Sequence, residues 1–276
     1  MFHPIVPTNI LIHWYEHQKL EDIPEEVFER IRAGFAAQKT DKPLVSINII
    51  AWNEEANILR NLSSLSAMKS SYPVEFIFVD NNSKDKTSEV IRKCGITPVF
   101  ETKQGYGFAR QTAMENSRGK YILTGDADTI YPPTWVDCML KPILAGKGLA
   151  SFGTYSFIPG SGKIRIRYAF YEIFRNIVHG LRNIKHPELV VVGMNFCFPT
   201  EEALKIGFIK SNSRMEDGQM ALALLKKGKL VRVTEINSRA WTGTRTVEKS
   251  GSFFNIISSR LLKESKRISI YFQAKK

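Results

Sequence analysis

Apolar runs of strand length alternate with segments of helical spacing through the first half of the chain. Four runs are apolar and rich in β-branched residues, and they predict strands at 44–50, 74–79, 97–100 and 121–124. Between and after them, apolar residues recur every three or four positions and predict helices at 55–68, 87–93, 108–117 and 132–144. Strand and helix alternation of this kind is typical of an α/β fold with a mainly parallel sheet and helices on both faces.

The rhythm changes beyond about residue 147. The pattern there predicts strands at 148–157, 190–199 and 230–233, and helices at 163–185 and 217–227. Before the first strand, a short amphipathic helix is predicted over 24–33, with a proline and acids in its first turn. We therefore divide the chain into an N-terminal helical extension (1–42), one α/β domain (43–240) and a C-terminal segment (241–276).

Polar clusters follow three of the predicted strands at the points where the strands end. Trp52-Asn53-Glu54-Glu55 follows the first strand, a run beginning Asp80-Asn81 follows the second, and Asp126-Ala127-Asp128 follows the fourth. In a parallel sheet these strand ends lie along one edge, so the clusters are expected to share a crevice. The alternative is turn chemistry, since Asn, Asp and Ser also bond their own backbone in turns. A fourth cluster, Glu216-Asp217, begins a predicted helix.

The acidic pair Asp126 and Asp128 carries the most specific chemistry. Two carboxylates one residue apart at the mouth of a cleft repel each other unless a positive charge holds them. A divalent cation that bridges phosphate oxygens is the usual partner of such a pair. The sequence therefore indicates a metal-dependent site that binds a phosphorylated ligand.

The chain is basic, with 39 Lys and Arg against 27 Asp and Glu and a net charge of +12. Such an excess attracts nucleotide phosphates, an anionic membrane surface or nucleic acid. The segments 163–185 and 253–276 are both basic and apolar, which suits a membrane surface better than a nucleic-acid groove. The alternative is that both pack on the α/β domain.

Other features of the sequence bear on where the protein resides. No apolar run approaches the length of a membrane-spanning helix, and the N-terminus lacks the layout of a signal peptide. Cys94, Cys138 and Cys197 are isolated and odd in number, which favours reduced thiols. We expect a cytoplasmic protein, either free or peripheral on the cytoplasmic face of the membrane.

Taken in order, these motifs resemble glycosyltransferase family 2, a group of inverting nucleotide-sugar transferases with the GT-A fold. The resemblance covers roughly residues 44–235. Five segments carry it: 45–55, 78–87, 105–111, Asp126-Ala127-Asp128 followed by Pro132-Pro133, and Glu216-Asp217. It implies a Rossmann-like GT-A domain with a nucleotide-binding half (43–147) and an acceptor half (148–240).

The resemblance also implies roles at the metal and the nucleoside. Asp128 would be the main ligand of Mn²⁺ or Mg²⁺, and Asp126 would contact the ribose or the water shell of the metal. Asp80 would bind the nucleoside. The family often has a second Asp where this chain has Asn81, and an amide donates as well as accepts, so recognition of the base can differ. A UDP-sugar donor is favoured and a GDP-sugar is possible.

Three further residues are assigned to donor binding. Trp52 stands where the family often has an aromatic residue and would stack on the base; its alternative is core packing. Glu54, in the same segment, is also assigned to donor binding. Arg110 would reach phosphate or ribose; its alternative is a solvated arginine on a helix face.

Asp217 matches the catalytic base of the family, with Glu216 beside it. Inverting transfer needs one carboxylate to take the proton of the acceptor hydroxyl. The alternative is a first-turn acid that interacts with the helix dipole. The implied reaction is sugar transfer to a glycan or polyprenyl-linked acceptor, in cell-surface polysaccharide or glycolipid biosynthesis.

Two rival functions belong to other classes. A sugar-nucleotide nucleotidyltransferase would carry a Gly-rich basic loop after the first strand, where this chain has Trp52-Asn53-Glu54-Glu55. A basic non-catalytic protein that binds nucleic acid would cluster Lys, Arg and exposed aromatics and would need no aligned acids. The segment after the first strand disfavours the first alternative, and the acids at the strand ends disfavour the second, so we expect no nucleic-acid partner.

Overall fold

The chain folds into two sheets and a set of flanking helices in the computed structural model, which describes residues 5–16, 19–160, 164–209 and 216–245. In this described part the strands are β1 Val45–Ala51, β2 Val74–Asp80, β3 Val99–Phe100, β4 Tyr121–Asp126, β5 Thr129–Ile130, β6 Ala150–Phe152, β7 Tyr155–Ile158, β8 Phe196–Pro199, β9 Leu230–Arg232 and β10 Ala240–Gly243. The order in the larger sheet is β3-β2-β1-β4-β8-β6-β9, and the smaller sheet runs β5-β10-β7.

The larger sheet is mixed and mainly parallel. Strands β1 to β4 run parallel to one another, β8 is antiparallel to both β4 and β6, and β6 and β9 are parallel. Every residue of β1 is buried, because this strand lies inside the sheet and is covered on both faces. Its side chains alternate, so that Ile47 and Ile49 enter one core cluster and Ile50 enters another.

Helices cover both faces of the larger sheet. Those described are α1 Thr8–Leu11, α2 Glu25–Ala37, α3 Glu55–Ser66, α4 Thr87–Lys93, α5 Tyr106–Glu115, α6 Trp135–Leu144, α7 Arg165–Asn183, α8 Thr200–Ile206 and α9 Glu216–Leu225. The main core cluster joins α2, α3, α4 and α6 to β1, β2 and β4, whereas α5, α8 and α9 contribute to clusters on the other face. Of the described helices, none combines the length and apolarity needed to cross a membrane.

The predicted α/β fold is confirmed, and two predicted strands differ from the structure. The run at 148–157 is interrupted at Gly153 and Thr154, and it forms β6 and β7, which belong to different sheets. There an added Cβ would lie 2.2 Å from the side-chain nitrogen of Asn195. The run at 190–199 is extended only from Phe196, and 3-10 turns precede it.

The structure describes most of the N-terminal extension but little of the C-terminal segment. Phe28, Ile31 and Phe35 of α2 enter the main core cluster, and Ile10 of α1 packs with Trp241. The described part of the N-terminal extension therefore packs on the α/β domain. The basic apolar segment predicted at 253–276 lies outside the described residues.

Candidate active site

The carboxyl ends of three neighbouring strands bring the predicted acidic clusters to one edge of the sheet. In the register of the sheet, Ala51 at the end of β1 pairs with Asp80 of β2, and Ile50 pairs with Asp126 of β4. Adjacent strands lie about 4.8 Å apart. The predicted convergence of these clusters on one crevice therefore follows from the observed topology.

The turn between β4 and β5 holds Asp126 and Asp128 in a fixed conformation. The side-chain amide of the buried Asn61 donates to the carbonyl oxygens of Asp126 (3.1 Å) and Thr129 (2.8 Å). The backbone N–H of Asp126 donates to the Tyr131 hydroxyl (3.0 Å), which in turn donates to the Met194 carbonyl (2.9 Å). Hydrogen bonds with the buried side chains of Asn61 and Tyr131 therefore fix both ends of the acidic turn.

Negative charge accumulates around Asp128. The pKa of Asp128 is raised to about 7, mainly by burial and in addition by the neighbouring carboxylates of Glu54 and Asp126, against the opposing effect of Arg245. Arg245 forms an ion pair with Glu54, and its guanidinium lies 3.9 Å from the Asp128 carboxylate. A cation near Asp128 would relieve the repulsion between these acids.

Arg110 lies between two of the predicted functional carboxylates. Its side chain is only 2% exposed, so the alternative of a solvated arginine is wrong. The guanidinium donates to the Gly125 carbonyl and to Asp126 Oδ1, both at 2.7 Å, and its Nε lies 3.6 Å from Asp217 Oδ1. Although burial opposes it, the charges of Asp217 and Asp126 raise the pKa of Arg110. One guanidinium therefore joins the acidic turn to the predicted base.

Asp217 and Glu216 begin α9 and face the same crevice. Burial raises the pKa of both carboxyls, that of Glu216 to about 7, and the two groups are hydrogen-bonded to each other. The backbone N–H of Gly193 also donates to Asp217. A Cβ at Gly193 would lie 1.8 Å from Asp217 Oδ2, so only glycine lets the backbone come this close. Both acids lie in the first turn of α9, so the helix-dipole contact and a role as base are compatible.

The segment after β2 uses its polar side chains to fix loops. Asp80 is buried and accepts hydrogen bonds from the Ser83 backbone N–H and the Ser88 hydroxyl. The Asn81 amide donates to the carbonyls of Glu101 and Lys103 and accepts from the Gly105 N–H. Both amide hydrogens of Asn81 are therefore used, so this side chain would donate to a base only by giving up one of these bonds. The predicted nucleoside-binding roles of Asp80 and Asn81 stay predictions.

Trp52 projects from the end of β1 into solvent. Its side chain is 50% exposed, so core packing does not explain it. The adjoining loop is held in place, because the Asn53 backbone N–H donates to the Ser83 hydroxyl and the Asn53 side chain accepts from the Lys84 N–H. An exposed indole on a fixed loop beside the acidic turn is available for stacking.

The residues around Asp128 fit the predicted Mn²⁺ or Mg²⁺. Within the described ranges, no three His, Cys, Asp or Glu side chains are grouped as a complete protein-built metal site. A hard cation bound with a diphosphate needs few protein ligands, since phosphate oxygens and waters complete its coordination. The carboxylate oxygens of Asp128 and Asp126, crowded by like charge, supply that kind of incomplete oxygen set.

Sequence reasoning missed several residues that build this site. Asn61 and Tyr131 lie in helical and apolar surroundings, where nothing in the sequence distinguishes them from core residues. Asn195 is likewise central, since it accepts from the Trp135 indole N–H and donates to the carbonyls of Thr154 and Ser238. A buried polar residue inside an apolar run is the one signal that could have indicated Asn195.

Comparisons with known proteins identify the family of this chain. The family model for Glycosyl transferase family 2 matches residues 46–207. The low-salt glycan biosynthesis hexosyltransferase Agl6 of Haloferax volcanii is 28% identical over 123 residues, which are 43% of this chain. The matched segments span 30% of Agl6 and 48% of a Haemophilus influenzae glycosyltransferase, so the chain covers less than half the length of these relatives.

Solved structures share the fold at low sequence identity. Mannosyltransferase PcManGT from Pyrobaculum calidifontis, in complex with GDP-Man and Mn²⁺, matches with a TM-score of 0.57 and 19% identity, over 79% of this chain and 68% of that one. Glucosyl-3-phosphoglycerate synthase from Mycobacterium tuberculosis, with Mn²⁺, UDP-glucose and phosphoglyceric acid, matches with a TM-score of 0.53 and 17% identity, over 86% and 83%. The family model covers more than half of the residues of this chain, and the solved structures share its fold. The chain therefore belongs to glycosyltransferase family 2 and has the GT-A fold.

Proposed function

We propose that this glycosyltransferase moves a sugar, with inversion, from a nucleoside-diphosphate donor to an acceptor hydroxyl in cell-surface glycan or glycolipid assembly. The observation that carries the proposal is the Arg110 guanidinium, which contacts both Asp126 of the acidic turn and Asp217 of α9. It joins the predicted donor side to the predicted base in one crevice. Family membership favours sugar transfer over the nucleotidyltransferase alternative.

In the proposed reaction Asp217 is the general base. Its carboxylate takes the proton of the acceptor hydroxyl while that oxygen attacks the anomeric carbon from the face opposite the diphosphate, whose bond to the sugar breaks. Burial raises the pKa of Asp217, and the charge of Asp126 adds to the increase against the opposing effect of Arg110, so this carboxylate is a stronger base than an exposed aspartate. Arg110 and the Gly193 N–H hold this carboxylate in position.

On the donor side, Asp128 and Asp126 would hold the divalent cation, which when bound neutralises charge on the departing diphosphate. Trp52 would stack on the base, and Glu54 fixes Arg245 beside the acids. A UDP-sugar is the favoured donor and a GDP-sugar the alternative. Both kinds of nucleotide accompany proteins that share this fold.

Nucleotide binding is expected to require metal and Asp128. UDP or GDP at about a hundred times its Kd, with Mn²⁺ present, is expected to raise the Tm by about 5 °C or more. The shift should disappear with EDTA and in Asp128→Asn, because the diphosphate then loses its bridge to the protein. Thermal-shift measurements with several nucleoside diphosphates, with and without Mn²⁺, check this and identify the base.

The control variant is Asp41→Asn, which removes an exposed acid from the loop before β1. It should keep the full nucleotide-dependent shift. If no nucleotide raises the Tm of the unmodified chain with Mn²⁺, the proposed donor class is wrong.

Helix α7 supports the proposed membrane association. In the basic and apolar segment predicted at 163–185, apolar residues form an exposed stripe along one side of α7, whereas Tyr168, Ala169 and Val178 on the opposite side of the helix are buried. The exposed members of the stripe are Ile166, Phe170, Ile177, Leu181 and Ile184. Exposed basic residues, Arg167 and Lys185, flank it and complement an anionic surface. We propose that this face of α7 lies on an anionic bilayer, close to a lipid-linked acceptor.

The proposed contact predicts binding to vesicles that depends on the stripe. The unmodified chain should sediment with phosphatidylglycerol-containing vesicles at low salt, and Ile177→Glu with Leu181→Glu should lower the affinity about tenfold or more, because apolar side chains are replaced by repelled charges. Leu222→Glu, which changes an exposed leucine of α9, should bind normally. A chain that stays in solution without vesicle binding, or equal binding by all three proteins, would rule out this surface.

A further inference from the structure

The N-terminal extension packs beside the acidic turn as well as on the main core. Ile10 of α1 belongs to a core cluster with Ile130 of β5 and Trp241 of β10. Strand β5 begins at Thr129, directly after Asp128 of the turn. The extension is therefore fixed to the strand that leaves the predicted metal site.

The end of this segment is also attached to α3. His13 is buried, and its Nδ1 lies 2.8 Å from the Ser63 hydroxyl oxygen. The Tyr15 hydroxyl lies 3.2 Å from the same oxygen. The pKa of His13 is lowered to about 4, mainly by burial and in addition by the charge of Arg30, so its ring is neutral near pH 7. The two residues that flank Trp14 are thus both fixed on α3.

Trp14 and Tyr15 hold the side chain of Arg60, which projects from α3. The Arg60 guanidinium lies over the Trp14 ring, 3.8 Å from its centroid, in a cation–π contact. Its Nε donates to the Tyr15 carbonyl (2.7 Å), and its Nη1 donates to Asn57 Oδ1 (3.3 Å). The Nη2 atom makes no hydrogen bond to a described residue and is in contact with solvent. The extension therefore fixes the guanidinium and leaves one of its nitrogens open to a ligand.

The side of α3 that carries these contacts lies along the acidic turn. Glu54, Asn57 and Asn61 are three or four residues apart, so they share one side of the helix. The Asn57 amide donates to Glu54 (2.7 Å), and the Asn61 amide donates to the carbonyl of Asp126 (3.1 Å). Arg60, which donates to Asn57 and precedes Asn61, is consequently beside the turn.

The electrostatics of Arg60 agree with this position. Burial lowers the pKa of Arg60, and the negative charges of Glu16 and Asp128 oppose that decrease. None of the ion pairs among the described residues includes Arg60, whereas Arg245 pairs with Glu54. Arg60 is therefore a cation near the predicted metal ligand, and no carboxylate of the described chain is in direct contact with it.

We propose that Arg60 binds the diphosphate of the sugar donor beside Asp128, and that Trp14 and Tyr15 of the N-terminal extension position it. The inference rests on the proposed sugar transfer. A divalent cation neutralises only part of the charge of a diphosphate, so the remaining oxygens still attract a cation. A guanidinium meets phosphate oxygens with charge-assisted hydrogen bonds. The extension would then be part of the donor site, although it is remote in sequence from the acidic turn.

The sign of the charge separates this role from simple support of the acidic turn. Arg60 and the metal are both positive, so removal of the Arg60 charge should favour binding of Mn²⁺ alone at Asp128. The same change should weaken binding of the nucleotide, which is negative. A residue that only shaped the turn would weaken both when replaced.

Two binding measurements on the full chain test the proposal. Calorimetry with UDP and GDP at saturating Mn²⁺ gives the nucleotide affinity, and the electron paramagnetic resonance signal of free Mn²⁺ gives the metal affinity without nucleotide. Arg60→Gln should weaken nucleotide binding about tenfold or more, since it removes a charge-assisted contact. Its affinity for Mn²⁺ alone should be equal to that of the unmodified chain or higher.

Arg30→Gln is the matched control. It removes an exposed arginine of α2 that also donates to Tyr15, so it repeats the loss of one positive charge and of one contact with the extension. Both affinities should stay unchanged in this variant. Arg60→Lys keeps the charge but loses the planar group, and it should also bind nucleotide more weakly than the unmodified chain. It keeps the test valid if Arg60→Gln folds poorly.

A double-mutant cycle tests the positioning role of Trp14. Trp14→Ala should weaken nucleotide binding about threefold, because Arg60 loses the ring that holds it. The double variant Trp14→Ala with Arg60→Gln should bind no more weakly than Arg60→Gln alone, since Trp14 acts through the guanidinium. Additive losses would show that Trp14 acts by another route and would overturn its positioning role.

The measurements also distinguish failure of this proposal from failure of the proposed function. Equal nucleotide affinity in Arg60→Gln and Arg30→Gln, or a parallel loss of Mn²⁺ and nucleotide affinity in Arg60→Gln, would overturn the role of Arg60 alone. If neither UDP nor GDP binds the unmodified chain with Mn²⁺, the proposed donor class is wrong, and the role of Arg60 is wrong with it.

Discussion

Sugar transfer by Asp217→Asn is expected to fall by about a hundredfold to ten-thousandfold, the usual contribution of a general base. The amide cannot take the proton of the acceptor hydroxyl, yet it has nearly the size of the carboxylate. Arg110 keeps Asp126 as a charged partner at 2.7 Å, so the variant should fold. Release of nucleoside diphosphate in the presence of acceptor measures kcat.

The metal-dependent nucleotide shift provides the control for this variant. It should be unchanged in Asp217→Asn, because the diphosphate is assigned to the acidic turn and not to α9. A variant with normal nucleotide binding and more than roughly a tenth of the original kcat would exclude Asp217 as the base.

The second large effect is expected from a single methyl group at Gly193. The added Cβ of Gly193→Ala would lie 1.8 Å from Asp217 Oδ2, so either the carboxylate or the segment before β8 must move. Displacement of a catalytic group by about 1 Å can cost about a hundredfold in rate. We expect a loss of that size in kcat with nucleotide binding retained.

Gly218→Ala is the matched control, since it adds the same methyl group one residue after the base. The nearest atom to that Cβ is the Glu188 carbonyl oxygen at 3.8 Å, an ordinary contact. Alanine inside α9 should stabilise the chain by about 0.5–1 kcal/mol and leave kcat unchanged. Similar activity losses in the two variants would show that the effect of Gly193→Ala is not specific to the Asp217 contact.

Elements with a clear local pattern of apolar residues were predictable from the sequence. Strands β1 and β2 and helix α4 lie within one or two residues of their predicted bounds, because buried parallel strands are continuous apolar runs. The order of polar clusters at their ends then follows from the topology of a parallel sheet. These features depend on neighbours close in sequence or on general rules of sheet connection.

The remainder depends on contacts between distant residues. The pairing of Thr129 with Thr242 forms the smaller sheet from strands too short to leave a pattern. The ion-pair partners of buried side chains could not be predicted from the sequence either. The predicted contact of Arg110 with phosphate or ribose stays a prediction, whereas its position between Asp126 and Asp217 was not foreseen, since only the folded chain brings these two acids to it.

The hydroxyl of Tyr131 has a consequence for how this enzyme can change. It joins two parts of the candidate site, because one of its hydrogen bonds anchors the acidic turn and the other anchors the backbone at Met194. A substitution that moves the backbone at Met194 is consequently expected to shift the acidic turn as well. If the proposed roles hold, a change made for one reactant would alter binding of the other through a single phenol.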